Sequence, residues 1–198
     1  MDVVVVKLGV GNTASILFAL ERLGVRARLS ADSRDIEGAE RVILPGVGAA
    51  AHAMQALEQK GVDRVLRAFK RPLLGICLGQ QLLYEASEEG LARGLALLPG
   101  VVSALPADAD RPVPHMGWSP LSIERDHPLL EGVEAGAYVY FVHSYACPLG
   151  AETIASTEYG ARFAAAVARD NFFGCQFHPE RSGAVGARVL RNFLSLPC

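Results

Sequence analysis

Short apolar runs alternate along the chain with stretches of helical periodicity. Residues 3–8 form a largely apolar, valine-rich run without strict alternation, which predicts a central strand covered on both faces. Helices are predicted over residues 13–23 and 62–69, and further strands over residues 25–29 and 41–44. Such alternation of strand and helix is typical of an α/β sheet.

The second half of the chain has more strands and fewer helices. The predicted elements are an aromatic strand, three further strands and a closing helix, at residues 138–145, 153–156, 163–168, 172–177 and 183–194. No internal repeat or flexible linker interrupts them. We therefore predict a single three-layer α/β domain over residues 1–198, whose central mixed, mostly parallel sheet is flanked by helices and gains antiparallel strands from this half.

Residues 112–120 are rich in proline and contain the only tryptophan of the chain. Because proline disfavours regular structure, a shaped surface loop is predicted here. This Met-Trp segment either caps the core or, if it is exposed, suits a protein partner.

The segment around Cys77 predicts a buried strand, a sharp turn and a helix that ends at residues 87–90. Gly75 and Gly79 lie two residues either side of the cysteine, where a tight turn needs positions without a Cβ. Such a turn places the sulfur at the start of a helix, where free N–H groups and the helix dipole favour the thiolate. The alternative is a small buried core cysteine, which would not need the flanking glycines.

Two other glycine segments follow predicted strands. Residues 45–48, Pro-Gly-Val-Gly, lie at a strand's carboxyl end, where open parallel sheets bind ligands, although an ordinary βα turn is the alternative. The Gly-x-Gly formed by Gly9 and Gly11 lacks the third glycine of a dinucleotide fingerprint, so no cofactor is predicted from it.

Charge and cysteine usage exclude several classes of partner. The net charge is −2 and the basic residues are scattered, which argues against a nucleic-acid or membrane surface. No apolar run could span a bilayer and no signal-peptide features precede the first strand, so a cytoplasmic protein is expected. The 4 cysteines have neither pairing nor metal-ligand spacing, so we expect no disulfide framework and no metal site.

A cysteine nucleophile needs a base, and the base needs an orienting group. Among the 5 histidines, His178 directly follows a predicted buried strand and has Glu180 two residues further on. We predict that Glu180 fixes one ring nitrogen of His178 while the other faces Cys77. His143, at a strand end, is either a buried core residue or a ligand contact.

Acyl transfer also needs hydrogen-bond donors where negative charge develops on oxygen. The N–H of Leu78, the residue after the cysteine, is one candidate, and an N–H of residues 46–48 is the second. Together these residues predict a cysteine hydrolase that attacks a carboxamide or ester and forms a thioester.

Three motifs occur in order along the chain: Leu-Pro-Gly46-Val-Gly48, Gly-Ile-Cys77-Leu-Gly and Gln-Phe-His178-Pro-Glu180. With them the chain resembles the class I glutamine amidotransferases, over essentially its whole length. Residues 114–118, 140–145 and 179–183 look like segments of one branch of that family, the glutaminase subunits of imidazole glycerol phosphate synthases, of histidine biosynthesis. The resemblance implies that Cys77 takes the γ-glutamyl group of glutamine as a thioester. The ammonia released would pass through a tunnel to a separate (β/α)8 cyclase subunit in a heterodimer.

The resemblance also implies roles for individual residues. The oxyanion loop would be Gly46, Val47 and Gly48. The glutamine-contacting residues would be Gln81, Glu89, His143, Ser144 and Tyr145. The face turned toward the cyclase would carry Asn12, Met116, Trp118 and Arg181. Lys7, Gln80 and Ser119 depart from the residues usual in the family.

Three other interpretations remain. An amidotransferase of the same fold could feed a synthetase or a pyridoxal phosphate synthase, and it would differ in the acceptor subunit that stimulates glutamine hydrolysis. A free-standing cysteine hydrolase or peptidase should turn over well without a partner. A non-catalytic regulatory module need not keep an intact Cys, His and Glu set.

Overall fold

The computed structural model describes residues 1–8, 13–107 and 111–198. Its strands are β1 (Val3–Val6), β2 (Arg28–Ser30), β3 (Arg41–Gly46), β4 (Leu73–Cys77), β5 (Tyr84–Ser87), β6 (Ala92–Arg93), β7 (Leu98–Ala104), β8 (His115–Pro120), β9 (Ser122–Ile123), β10 (Tyr138–His143), β11 (Tyr145–Ala146), β12 (Thr153–Tyr159), β13 (Ala161–Arg169) and β14 (Phe172–Cys175). Its helices are α1 (Thr13–Arg22), α2 (Ser33–Gly38), α3 (Ala50–Gln59), α4 (Val62–Ala68), α5 (Leu78–Leu82) and α6 (Gly183–Ser195), and short 3-10 helices lie at Glu89–Leu91, Pro128–Leu130 and Pro179–Arg181.

An eight-stranded sheet forms the centre, in the order β2-β1-β3-β4-β14-β13-β12-β9. The strands from β2 to β14 pair in parallel, whereas β13, β12 and β9 are antiparallel additions. Strands β1, β3, β4 and β14 are buried along their whole length, as expected for strands covered on both faces. The predicted mixed α/β sheet is therefore confirmed.

Helices cover both faces of this sheet. Successive residues of β1 alternate between two apolar clusters, because side chains of a strand point to opposite faces. Val3 and Val5 pack in one cluster with residues of α1 and α6, and Val4 and Val6 pack in the other with residues of α2, α3, α4 and α5. The result is the predicted arrangement of helices, sheet and helices. No helix within the described ranges has the length and apolar character needed to cross a membrane.

The loop predicted over residues 112–120 is wrong, because most of it is strand β8. This strand pairs antiparallel with β10 from Tyr138 opposite Pro120 to His143 opposite His115. Proline is tolerated because Pro120 is the last residue of the strand and Pro114 precedes its first residue. The backbone pairing with β10 therefore decides the local structure.

Strand β2 begins and ends slightly later in the chain than the predicted residues 25–29. The helix after Cys77 is shorter than predicted. Helix α5 ends at Leu82 rather than at residues 87–90, and β5 follows. The carbonyl groups of Leu82 and Leu83 accept hydrogen bonds from Leu95 and Leu97, so they bond to a neighbouring segment and not along the helix. Strand β5 then pairs with β7 and β6 in a small separate sheet with β11.

Candidate active site

The turn at Cys77 joins β4 to α5 through a strained residue. Cys77 has φ 54°, in the left-handed region that residues with a Cβ rarely adopt. A Cβ on Gly79 would lie 1.7 Å from the carbonyl oxygen of Leu44, and one on Gly75 would lie 2.5 Å from the carbonyl oxygen of Gly79. Both glycines are therefore required by close backbone approach, in agreement with the sequence prediction. The sulfur is left at the amino-terminal end of α5.

The sheet topology brings Cys77 next to His178 and Glu180. Strands β4 and β14 are parallel neighbours, so the residues that follow their carboxyl ends meet at one edge of the sheet. His178 and Cys77 line the same cavity, and Cys77 is one of the groups that raise the pKa of His178. On its other side, His178 Nδ1 lies 2.8 Å from Oε1 of Glu180. This is the geometry of a nucleophile, a base and an orienting carboxylate.

Cys77 and Glu180 together change the acidity of His178. Burial alone would lower the pKa of His178, but the hydrogen bonds and charges of Cys77 and Glu180 raise it to about 10. The side chain of Glu180 is only 4% exposed. Its second oxygen, Oε2, is buried without a hydrogen-bond partner in the described part of the chain. His178 thus carries a positive charge at neutral pH in the wall of the cavity that contains Cys77.

Backbone hydrogen bonds fix the position of His178 relative to β10. The N–H of His178 donates to the carbonyl oxygen of Tyr140 at 2.9 Å. Ser182 Oγ donates to the carbonyl oxygen of His178 at 2.7 Å and accepts from the N–H of Tyr140 at 3.0 Å. Ser182 is buried, and sequence reasoning did not single it out.

Cys77 and His178 open into a cavity of about 260 Å³. Its walls include all of the predicted glutamine-contacting residues: Gln81, Glu89, His143, Ser144 and Tyr145. Val47, Gly48 and Leu78, from the predicted oxyanion hole, also line it. The structure therefore brings these predicted residues together around the sulfur.

Several polar side chains in these walls already have partners within the protein. Gln81 Nε2 donates to the carbonyl oxygen of Tyr145 at 2.7 Å. Glu89 Oε2 accepts from the N–H of Ala50 at 2.8 Å, at the first residue of α3. His143 Nδ1 lies 2.8 Å from the carbonyl oxygen of Tyr145, so this nitrogen carries the proton. These contacts fix the shape of the walls.

His143 belongs to a buried chain of hydrogen bonds that reaches His115. His143 Nε2 lies 3.2 Å from His115 Nδ1, and His115 Nε2 lies 3.0 Å from Ser119 Oγ. All three residues are buried. Of the two alternatives for His143, the structure supports a satisfied core residue that also forms part of the cavity wall.

The predicted oxyanion loop lies beside the turn of the nucleophile. Gly46, the last residue of β3, stands opposite Cys77 in the strand register. Val47 is 43% exposed, and Gly48 has φ +89°, a conformation available mainly to glycine. The N–H of Leu78 begins α5 at the same place. Both predicted sources of oxyanion donors therefore adjoin the sulfur.

A second, adjacent cavity of about 210 Å³ lies on the other side of His178. It shares Val47, Val142 and His178 with the first cavity, and Glu180 and Arg181 are part of its lining. The remainder of its lining includes apolar residues such as Ile16 and Ile76. The two cavities are thus separated by side chains around the base.

The residues predicted to face a partner are exposed where the structure describes them. Met116 and Trp118 of β8 are 64% and 53% exposed, and Arg181 is exposed as well. Tyr138 is 57% exposed, and Trp118 contacts Tyr140 with ring centroids 5.8 Å apart. Asn12 lies outside the described residues. These β8 and β10 side chains form what we call the outer face of the hairpin: Met116, Trp118, Tyr138 and Tyr140.

Sequence reasoning missed two other residues of this site. Gln176 is completely buried between His178 and the strand β14, and its side chain reaches the sulfur of Cys77. A polar residue directly after an apolar strand is the signal that could have identified it. His115 was assigned to a surface loop, because β10, the strand that pairs with β8, is distant from it in the sequence. In the described ranges, no group of three or more His, Cys, Asp or Glu side chains could hold a metal ion.

Comparison with known families agrees with this geometry. The sequence matches the family described as glutamine amidotransferase class-I over residues 4–196. A chain in the structure of PurLQS from Thermotoga maritima has the same fold, with a TM-score of 0.72 and 21% identity, covering 98% of this chain and 96% of that one. The chain therefore belongs to the class I glutamine amidotransferases.

More similar relatives carry one particular name. The imidazole glycerol phosphate synthase subunit HisH of Xylella fastidiosa (strain 9a5c) is 52% identical over 196 residues, covering 98% of each chain. The subunit HisH of Xanthomonas axonopodis pv. citri (strain 306) is 50% identical over 195 residues, again covering 98% of each.

Proposed function

We propose that this chain is the glutaminase subunit of an imidazole glycerol phosphate synthase, acting in histidine biosynthesis. The observation that carries the proposal is that Cys77 and His178 line one cavity, with His178 oriented by Glu180. Near-full-length relatives at about 50% identity support the particular assignment. We further propose that residues 1–198 act as one domain in the cytoplasm.

The geometry supports hydrolysis in two stages. The thiolate of Cys77 attacks the side-chain carboxamide carbon of glutamine, and the N–H of Leu78 with one from residues 46–48 stabilises the oxyanion. The imidazolium of His178 protonates the leaving nitrogen, so ammonia departs and a glutamyl thioester remains. Neutral His178 then takes a proton from water, which attacks the thioester and releases glutamate and free Cys77.

Ammonia must reach its acceptor without entering bulk water, where it would be protonated and lose its nucleophilicity. The second cavity begins at His178, and most of its remaining lining is apolar, so it is suited to receive ammonia. The outer face of the hairpin supplies exposed aromatic area of the kind that protein interfaces use. We therefore propose that the partner is a (β/α)8 cyclase subunit, docked over this cavity and this face.

The proposal is tested by measuring glutamine hydrolysis by the chain alone and after addition of the cyclase subunit with its nucleotide substrate. We expect weak hydrolysis by the isolated chain and strong stimulation only when both are present. Equal rates in the two cases would favour a free-standing hydrolase. Stimulation by a synthetase or a pyridoxal phosphate synthase instead would assign the chain to another amidotransferase.

Replacement of Cys77 by alanine separates the two half-reactions. In the complex, Cys77→Ala should abolish glutamine-dependent synthesis and leave synthesis from added ammonia intact, because the cyclase chemistry lies in the other subunit. Both rates are measured by formation of the imidazole product. Loss of the ammonia-dependent rate as well would show that Cys77 is needed for folding or docking.

A further inference from the structure

A buried glutamine lies against the sulfur of Cys77. Gln176 directly follows β14, two residues before His178, and is 0% exposed. Its side-chain Nε2 lies 3.8 Å from Cys77 Sγ, within reach of the long hydrogen bonds that sulfur accepts. The two-stage hydrolysis described above does not use this contact.

The orientation of the Gln176 amide is fixed by two other groups. Its Oε1 accepts from Gln81 Nε2 at 3.1 Å and from Cys147 Sγ at 3.7 Å. Burial raises the pKa of Cys147 to about 12, so this thiol keeps its proton and stays a donor. A flipped amide would turn its NH2 group toward these two donors. The NH2 group therefore faces the sulfur of Cys77.

The surroundings of the sulfur change when its proton leaves. The thiol form of Cys77 can donate to the carbonyl oxygen of Val142, 3.6 Å away. A thiolate cannot make that bond, whereas it can still accept from the amide of Gln176. Cys147 and Cys175 are titratable groups near the sulfur, and burial raises the pKa of both, so they remain neutral. Glu89, His143 and Tyr145 line the same cavity as Cys77, and burial is the main cause that lowers the pKa of His143 to about 3, so this ring is neutral as well. A hydrogen bond to the charged form stabilises that form.

We propose that Gln176 is a further catalytic residue, whose side-chain amide donates to the sulfur of Cys77 and increases the fraction present as thiolate. Gln81 and Cys147 act as positioning residues that hold this amide. The proposal rests on the proposed function only in taking Cys77 as the nucleophile.

Alkylation of Cys77 by iodoacetamide measures the thiolate fraction without requiring glutamine turnover. Rates are followed by peptide mass spectrometry between pH 5 and pH 10 in the full chain. Gln176→Met removes the donor at similar volume, and Gln176→Asn withdraws the amide by one methylene while keeping it polar. In both variants we expect the midpoint of the pH profile to rise by about one unit, which is a loss of about tenfold in rate below the midpoint.

The chain offers a matched control for this change. Gln80 is also 0% exposed, but its Nε2 donates to the carbonyl oxygen of Ala164 at 3.1 Å and not to the sulfur. Gln80→Met therefore replaces an equally buried glutamine by methionine. The pH profile of Cys77 alkylation in this variant should match that of the unmodified chain. Cys198 is exposed and serves as a reference thiol within each molecule.

The outcomes distinguish this inference from the proposed function. A profile for Gln176→Asn or Gln176→Met that coincides with the unmodified chain, or a shift of equal size in Gln80→Met, overturns the role of Gln176. If Gln176→Met fails to fold, the Gln176→Asn profile decides the matter. If Cys77→Ala keeps the glutamine hydrolysis of the unmodified chain, the nucleophile itself is wrong and the proposed function fails with it.

Discussion

His115 and His143 are held neutral beside the cavity that contains Cys77. Because the carbonyl oxygen of Tyr145 can only accept, His143 carries its proton on Nδ1, and its Nε2 must accept from Nδ1–H of His115. The remaining nitrogen of His115 then accepts from the hydroxyl of Ser119. Burial lowers the pKa of His115 to about 4, and burial is also the main cause that lowers the pKa of His143 to about 3.

These two pKa values predict acid sensitivity. Both lie below the ordinary value, so the unfolded chain binds protons below about pH 6.5 that the folded chain does not bind. Stability should fall as the pH decreases from about 6.5 toward 4, by up to about 1.4 kcal/mol per pH unit for each histidine. His178 has a raised pKa and therefore acts in the opposite direction. Its contribution to the stability of the folded chain is complete below about pH 6.5 and is lost as the pH rises toward 10.

Urea unfolding at several pH values checks this prediction. His115→Phe should make the acid slope shallower by about one proton, because the ring can still stack between Phe141 and Tyr159 but cannot titrate. His52→Asn is the control, since His52 is exposed. An unchanged slope in His115→Phe, or an equal change in His52→Asn, would contradict the assignment.

Helix α6 supports the segment that carries His178 and Glu180. A Cβ on Gly186 would lie 1.9 Å from the carbonyl oxygen of Pro179, so the helix approaches the 3-10 helix Pro179–Arg181 as closely as glycine permits. The contact is between backbone atoms, which cannot move aside as a flexible side chain can. The position of Glu180 therefore depends on the absence of a side chain at Gly186.

Gly186→Ala should destabilise the fold and reduce glutamine hydrolysis. Overpacking of this kind costs about 1–3 kcal/mol, which outweighs the roughly 1 kcal/mol that alanine gains over glycine in a helix. Thermal unfolding and partner-stimulated glutaminase activity measure the two effects. Gly38→Ala is the matched control, because a Cβ at Gly38 would meet no atom within 4 Å and the backbone there is not strained. Wild-type stability and activity in Gly186→Ala would show that the two helices can separate without consequence.

Elements specified by local chemistry were predictable from the sequence, and elements specified by distant partners were not. The turn at Cys77 was predicted because Gly75 and Gly79 mark the close approach directly. Strand β8 was missed because the prolines in and before it indicate a loop, whereas its pairing with β10 joins residues 18 (Pro120 and Tyr138) to 28 (His115 and His143) positions apart in the sequence. Gln176 was missed for a related reason, since only the folded sheet places β14 beside β4.

At the scale of the whole molecule, the outer face of the hairpin is its most aromatic exposed surface among the described residues. Met116, Trp118 and Tyr138 are each more than half exposed. Their neighbours along β8, His115 and Ser119, point inward and are buried. One short pair of strands thus presents large apolar and aromatic side chains outward and buries His115 and Ser119, together with Val139 and Phe141, inward.

Trp118→Ala should weaken binding of the cyclase subunit. Loss of a central interface tryptophan typically costs about 2 kcal/mol or more, which corresponds to roughly a 30-fold increase in Kd. Titration calorimetry measures the affinity, and alkylation of Cys77 in the isolated variant should be unchanged. Leu149→Ala is the control, because Leu149 is 45% exposed and lies outside the hairpin. Equal affinities for Trp118→Ala and the unmodified chain would exclude this face as the docking surface.

Tyr140 connects that outer surface to the base. It stands opposite Trp118 in the strand register, and its carbonyl oxygen holds the N–H of His178. A partner that contacts the indole of Trp118 therefore acts, through the neighbouring strand, on the peptide group of His178. A single residue therefore links the surface that a partner would cover to the backbone that positions the imidazole.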